Sequence, residues 1–162
     1  MIENWFLRFC YNAYSFIIKI GTNLQSIFLL YMRLTWGHLI FLIGLHKYQQ
    51  MDQTVQFFRD LNFLHPSFHA HLTAVFEIFG GIMLVIGLGS RLVAIPLIII
   101  MITALSTAHA QDLNSFRFLL EPSVLALSAP YPYLMTAVLM FVFGPGKISI
   151  DGWIKKTLHH HK

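Results

Sequence analysis

The chain alternates between long apolar runs and short polar breaks, at a scale set by membrane thickness rather than by a soluble core. A span needs about 20 mostly apolar residues, about 17 at the short end. Three runs meet this: Ile27–Leu45, Ala70–Leu88 and Arg91–Ala110. Gly87, Gly89 and Ser90 leave room only for a tight connection, so the second and third runs are expected to form an antiparallel hairpin. A fourth run is broken by Pro130 and Pro132, which predicts a short span over Ala129–Gly144. The segment before it, Phe116–Ser128, is expected at the interface or dipping into the membrane. Met51 to Leu61 predicts a short amphipathic cap, and Pro66 suits the first turn of the second span.

Residues 1–26 follow a different pattern. Trp5, Phe6, Phe9, Tyr14, Phe16 and Ile17 are interrupted by Arg8, Asn12 and Lys19. The pattern lacks the clean apolar core and cleavage site of a signal peptide. An amphipathic helix on the membrane surface is expected, with a fifth span as the alternative. The predicted organisation is an N-terminal amphipathic segment (1–26), a four-helix membrane domain (27–154) and a basic tail (155–162). The fold class is all-α, a four-helix transmembrane bundle.

Composition agrees with this division. Hydrophobic residues make up 56% and charged residues 11% of 162, with a net charge of +4. Soluble domains carry about 25% charged residues. The basic residues flank apolar runs and form no stripe, which excludes a nucleic-acid footprint. Arg8, Lys19, Arg91, Lys147, Lys155, Lys156 and Lys162 collect on one side of the predicted topology; only Lys47, Arg59 and Arg117 collect on the other. The richer side is expected to be cytoplasmic, with both termini. The one cysteine, Cys10, excludes an internal disulfide or CxxC pair, so any redox role needs a bound cofactor or a partner.

Ionisable residues at membrane depth are costly and mark candidate sites. Arg33 and His38 lie in the first span and Glu77 in the second. Placing the span centres at Trp36 and Phe79 brings Arg33 within reach of Glu77. The pair is expected either to lock the helices or to line a polar pocket. His38 is about 140° around the helix from Arg33, so the two are not expected to share a partner. Gly37, Gly44, Gly80 and Gly81 permit close approach of these spans. His65, His69 and His109 are the candidate metal ligands, against an ordinary wet interface rich in histidine.

The string Arg33, Leu34, Gly37, Phe41, Gly44, Leu45, Lys47 precedes Glu77, Gly80, Gly81 and Leu84. The turn Gly87-Leu88-Gly89-Ser90-Arg91 follows, then His109 and the stretch Phe143-Gly144-Pro145-Gly146-Lys147 ending at Asp151. In this order and spacing the chain resembles the DoxX family of small bacterial membrane proteins, from about Phe28 to Ile154. The resemblance implies a four-helix bundle in the inner membrane, a component of redox or stress systems. The sequence carries no nucleotide-binding glycine loop, haem-attachment motif or serine-nucleophile elbow, so an accessory subunit is expected rather than an autonomous enzyme. A quinone-like carrier would then sit beside Arg33, His38, Glu77 and Trp36, with Tyr31 and Phe76 lining a groove. Gly37, Gly44, Gly81, Arg91, Gly144 and Pro145 would be structural. The expected partners are the lipid bilayer and either a second protein or further copies of the chain. The alternative is a non-catalytic scaffold presenting the loop from Lys47 to Phe68.

Overall fold

The computed structural model describes residues 2–107 and 128–159, with side chains over 7–107 and 128–158. Elements in chain order are α1 (Ile2–Met32), a π-helical turn (Arg33–Gly37), α2 (His38–Gln49), α3 (Met51–Asp60), α4 (Pro66–Ile86), α5 (Ser90–Thr107), α6 (Pro130–Phe143) and α7 (Ile150–His159). The described residues form an all-α membrane-type bundle. Three helices are long and apolar enough to cross a bilayer, and Pro130–Phe143 is a shorter apolar helix. Residues 108–127 lie outside the described residues, and with them the expected interfacial segment and His109.

No break separates α1 from the first span. The helix runs on through the π turn to Gln49, and its apolar stretch covers Leu7–Gln49, 43 residues. At ~1.5 Å per residue that is about 65 Å, roughly twice the hydrocarbon thickness. Residues 7–25 are exposed, and burial begins at Ser26. The bundle therefore packs only the second half of this helix.

The hairpin turn forms for the reason its glycines suggest. Gly87 ends α4 with φ +72°, and Gly87 N and Leu88 N donate to Leu84 O and Met83 O at 3.2 and 3.1 Å. This is a Schellman cap, which needs the left-handed residue that glycine supplies without strain. Pro66 occupies the first turn of α4 and Pro130 the first turn of α6, where no intrahelical N–H is lost. Pro130 and Pro132 thus start the fourth helix rather than interrupt it.

α2 packs along α4, α5 along α6, and α3 folds back onto α4. The core joins Leu29, Ile40, Leu84, Ala94, Leu97, Ala137 and Met140. The α2–α4 contact is backbone to backbone. A Cβ on Gly81 would stand 2.6 Å from Phe41 N, and one on Gly44 would stand 2.7 Å from Ile78 N. Neither position admits a side chain without moving a helix.

Candidate functional site

These glycine contacts fix the register, and the register separates two charged sites. Gly37 lies against Gly81 and Leu84, and Gly44 against Ala74 and Glu77. Arg33 consequently faces Gly87, about 15 Å along the helix from the level of Glu77. The expected Arg33–Glu77 pair does not form. The sequence estimate centred the apolar runs on one another, whereas close backbone contact at the glycines shifts the helices by more than one turn.

Glu77 pairs instead with Lys47. Nζ donates to Oε1 at 2.6 Å, with the Glu77 side chain 1% exposed and that of Lys47 29% exposed. Glu77 sits at the middle of α4. A lone carboxylate there would be expensive, and the ammonium at hydrogen-bond distance offsets its desolvation. Only one carboxylate oxygen is used: Oε2 is buried with no hydrogen-bond partner among the described residues. Lys47 extends from the end of α2 and forms part of a small pocket of about 190 Å³ with His46, Gln50, Thr54 and Phe57. Tyr133 lies in α6, which packs against α5 and the π turn. Tyr133 in turn meets Trp36 edge to face, with centroids 5.5 Å apart at 86°. The bundle interior therefore holds the Lys47–Glu77 ion pair and, about 12 Å along the helix from Gly44 where Glu77 packs, an aromatic wall of Trp36 and Tyr133.

The π turn helps build that wall. It spans Arg33–Gly37 and contacts α1, α2, α4 and α6. Wide turns of this kind recur at functional sites because they re-aim the side chains after them. Trp36 is half-buried, and His38 falls on the exposed side, away from both Arg33 and Glu77. Tyr31 is also exposed, at 62%, as is Phe76 at 38%.

Arg33 belongs to the second site, at the end of the bundle where the α4–α5 turn meets the segment after α6. It is 1% exposed, and Nη2 donates to Ile148 O at 2.7 Å. Nε and Nη1 have no hydrogen-bond partner among the described residues, and the charge acting on the guanidinium is Asp151. Asp151 performs a second task. Its two oxygens accept from Gly89 N at 2.9 Å and Ser90 N at 3.3 Å, so a residue of α7 caps α5. Asp151 N donates to Gly87 O at 3.1 Å, closing the junction. Arg91 donates to Val142 O at 3.2 Å, and its Nε lies 3.4 Å from where a Gly144 Cβ would stand. Half-buried Pro145 follows in the same turn.

Of the three candidate metal ligands, His65 and His69 lie among the described residues. His65 is exposed, with φ 59°, at the start of α4. His69 lies in an aromatic box, 5.2 Å from Phe63 and 5.7 Å from Phe68 by ring centroids, and stacked on Phe58. No group of three or more metal-ligating residues occurs among the described residues, and His109 lies outside them.

Sequence reasoning missed two members of the internal site. Lys47 counted as a topology charge and a member of the motif string but not as a partner of Glu77, and Tyr133 drew no notice. Laying Gly37 against Gly81 and Gly44 against Ala74 on paper would have placed Lys47 about 9 Å along the helix axis from the level of Glu77, within reach of two long side chains. Tyr133 carried no comparable signal.

A bundle of apolar helices closed on small residues, with charged groups held between them, defines the class: an α-helical integral membrane protein. The chain belongs to the DoxX family, whose model matches residues 28–110. It is also similar to a Bacillus subtilis (strain 168) protein named "Putative oxidoreductase CatD", at 28% identity over 127 residues, covering 78% of this chain and 87% of the relative. No solved structure matches the chain.

Proposed function

We propose that this chain is a membrane-embedded subunit of a redox or stress-response system in a bacterial inner membrane, with both termini in the cytoplasm. Its candidate ligand is a quinone-like, lipid-soluble carrier held beside Lys47, Glu77, Tyr133 and Trp36. The carrying observation is the buried Glu77 Oε2, which has no partner although Oε1 is engaged by Lys47. Buried polar atoms are ordinarily satisfied, and an exception at a charged centre points to a ligand or a proton. The relative's printed name, an oxidoreductase, supports the same reading.

The donor set suits a carbonyl-bearing carrier. Lys47 has two further N–H groups to donate, the Tyr133 hydroxyl one, and Trp36 offers an aromatic wall. Such a carrier, when bound, supplies two-electron, two-proton chemistry. Glu77 would hold or move a proton at Oε2, exchanging with water through the Lys47 pocket. With Cys10 as the one thiol, the electrons come from a partner protein. Arg33 is assigned to holding the Ile148–Asp151 junction, and exposed His38 to the lipid-facing surface.

A scaffold reading is favoured by a different observation. Leu7, Phe9, Phe16, Ile17 and Leu24 are 56–66% exposed on a helix that continues beyond the packed bundle, as an anchoring or partner-binding arm would. Mass spectrometry of small molecules extracted from the protein in native lipid patches separates the two. A stoichiometric quinone in the wild type that disappears in Glu77→Gln is expected. No enriched molecule in either sample would leave the scaffold as the function.

A further inference from the structure

Three parts of the chain meet at the end of the bundle that carries most of its positive charge. The second half of α1 contributes Ser26 and Leu29, the start of α5 contributes Arg91, and α7 contributes Lys155 and Lys156. Between them the turn after α6 brings in Lys147, whose backbone N–H donates to Ser26 Oγ at 3.4 Å. The result is an open cleft of about 1190 Å³.

The charge in this cleft is uncompensated. Asp151 is its acidic residue, and both its oxygens are taken by Gly89 N and Ser90 N. Among the described residues, the ammonium groups of Lys147, Lys155 and Lys156 have no hydrogen bond or ion pair. Arg91 uses one nitrogen on Val142 O and keeps others to donate.

The cleft also lies at a defined depth. Leu92, in the first turn of α5, and Phe143, the last residue of α6, line it and are 75% and 53% exposed. Both helices enter the apolar layer from there. α7 carries an exposed stripe of Ile150, Ile154 and Leu158, with Trp153 beside it, at the spacing of a helix lying in the membrane interface. That posture sets Lys155 and Lys156 at head-group level, where tryptophan also concentrates.

We propose that this cleft seats the phosphate-bearing head group of an anionic phospholipid, with its acyl chains running down against Leu92 and Phe143. Basic clefts between membrane helices take such head groups through phosphate contacts, and each lysine or arginine adds to the attraction. An acyl chain accounts for the apolar wall, which a free phosphate would leave unused. The site is separate from the Lys47–Glu77 centre, so either assignment can fail alone.

Native mass spectrometry on the full chain released from nanodiscs of equimolar phosphatidylglycerol and phosphatidylcholine tests this. The wild type is expected to retain one phosphatidylglycerol per chain in preference to phosphatidylcholine. Excess inorganic phosphate should not displace it. The Lys147→Gln/Lys155→Gln/Lys156→Gln variant is expected to bind phosphatidylglycerol on the order of 100-fold more weakly. Its melting temperature in phosphatidylcholine alone should match the wild type. The triple arginine variant keeps the charge and should keep the lipid, which serves as the control should the glutamine variant misfold. Equal retention of the two lipids, unchanged binding in a folded glutamine variant, or loss of lipid to the arginine replacements would overturn the proposal. Displacement by inorganic phosphate would also overturn it, by making a small anion the occupant.

Discussion

Lys47 Nζ lies 2.6 Å from Glu77 Oε1, joining the end of one membrane helix to the middle of the next. The contact crosses the glycine seam between α2 and α4, so it depends on the seam and also fixes it. Breaking such a pair from one side leaves the other charge buried, at a cost of about 3–5 kcal/mol. Lys47→Met alone should therefore destabilise strongly. Lys47→Met with Glu77→Leu should recover most of that loss, because two apolar groups need no partner. Thermal unfolding of the two variants in nanodiscs measures the difference. Equal loss in both would show that the pair is not the destabilising element.

The glycines make a sharper test because their surroundings differ so much. A Cβ on Gly81 would sit 2.7 Å from Gly37 O, while one on Gly21 would meet nothing within 4 Å. Gly81→Ala should cost about 1–3 kcal/mol through forced separation of the helices. Gly21→Ala should be neutral or stabilise by up to about 1 kcal/mol, since alanine is the better helix former. Melting curves of the two variants, run side by side, check this contrast.

How much of this was legible in the sequence follows from what hydropathy encodes. Apolar run length marks where helices cross, so three helices long enough to span, the shorter Pro130–Phe143 helix, the 87–90 turn, the helix after Met51 and the Pro66 start are present among the described residues. Hydropathy says nothing about how far one helix slides along another. The Arg33–Glu77 pairing failed for that reason, while the glycines that set the slide were in plain view. The continuity of α1 was hidden differently. Arg8, Asn12 and Lys19 break the apolar pattern without breaking helical geometry, because none of them is a helix terminator. The π turn has no sequence signature, and His38 still falls on the side away from Arg33 that the helical spacing predicts.

The junction around Arg33 predicts a second coupled group. Asp151 caps α5 and also neighbours the Arg33 charge, so Asp151→Ala removes both functions. The loss of the cap alone is worth about 0.5–2 kcal/mol, and exposing the buried guanidinium to no counter-charge adds to it. Gly87→Ala should be worse: φ is +72°, and the added Cβ would collide with Arg33 Nη1. Hydrogen exchange should show both variants opening first at residues 87–91 and 147–152.

The exposed start of α1 predicts tolerance. Residues 7–18 contribute no buried side chain. Removing residues 1–18 should shift the stability of the remaining bundle by less than about 0.5 kcal/mol, the range of surface changes. If this arm is instead the partner-binding element, the truncated chain should fold normally yet lose its partner in pull-down from the native membrane.

The internal site can be read by its own tryptophan. With Trp5 and Trp153 replaced by phenylalanine, Trp36 is the remaining tryptophan, edge to face with Tyr133. Titration of that protein in nanodiscs with a short-chain quinone should quench the emission saturably, and Glu77→Gln or Lys47→Met should abolish the saturable part. Quenching that rises linearly without saturation, and equally in the wild type and both variants, would contradict a bound carrier at this centre.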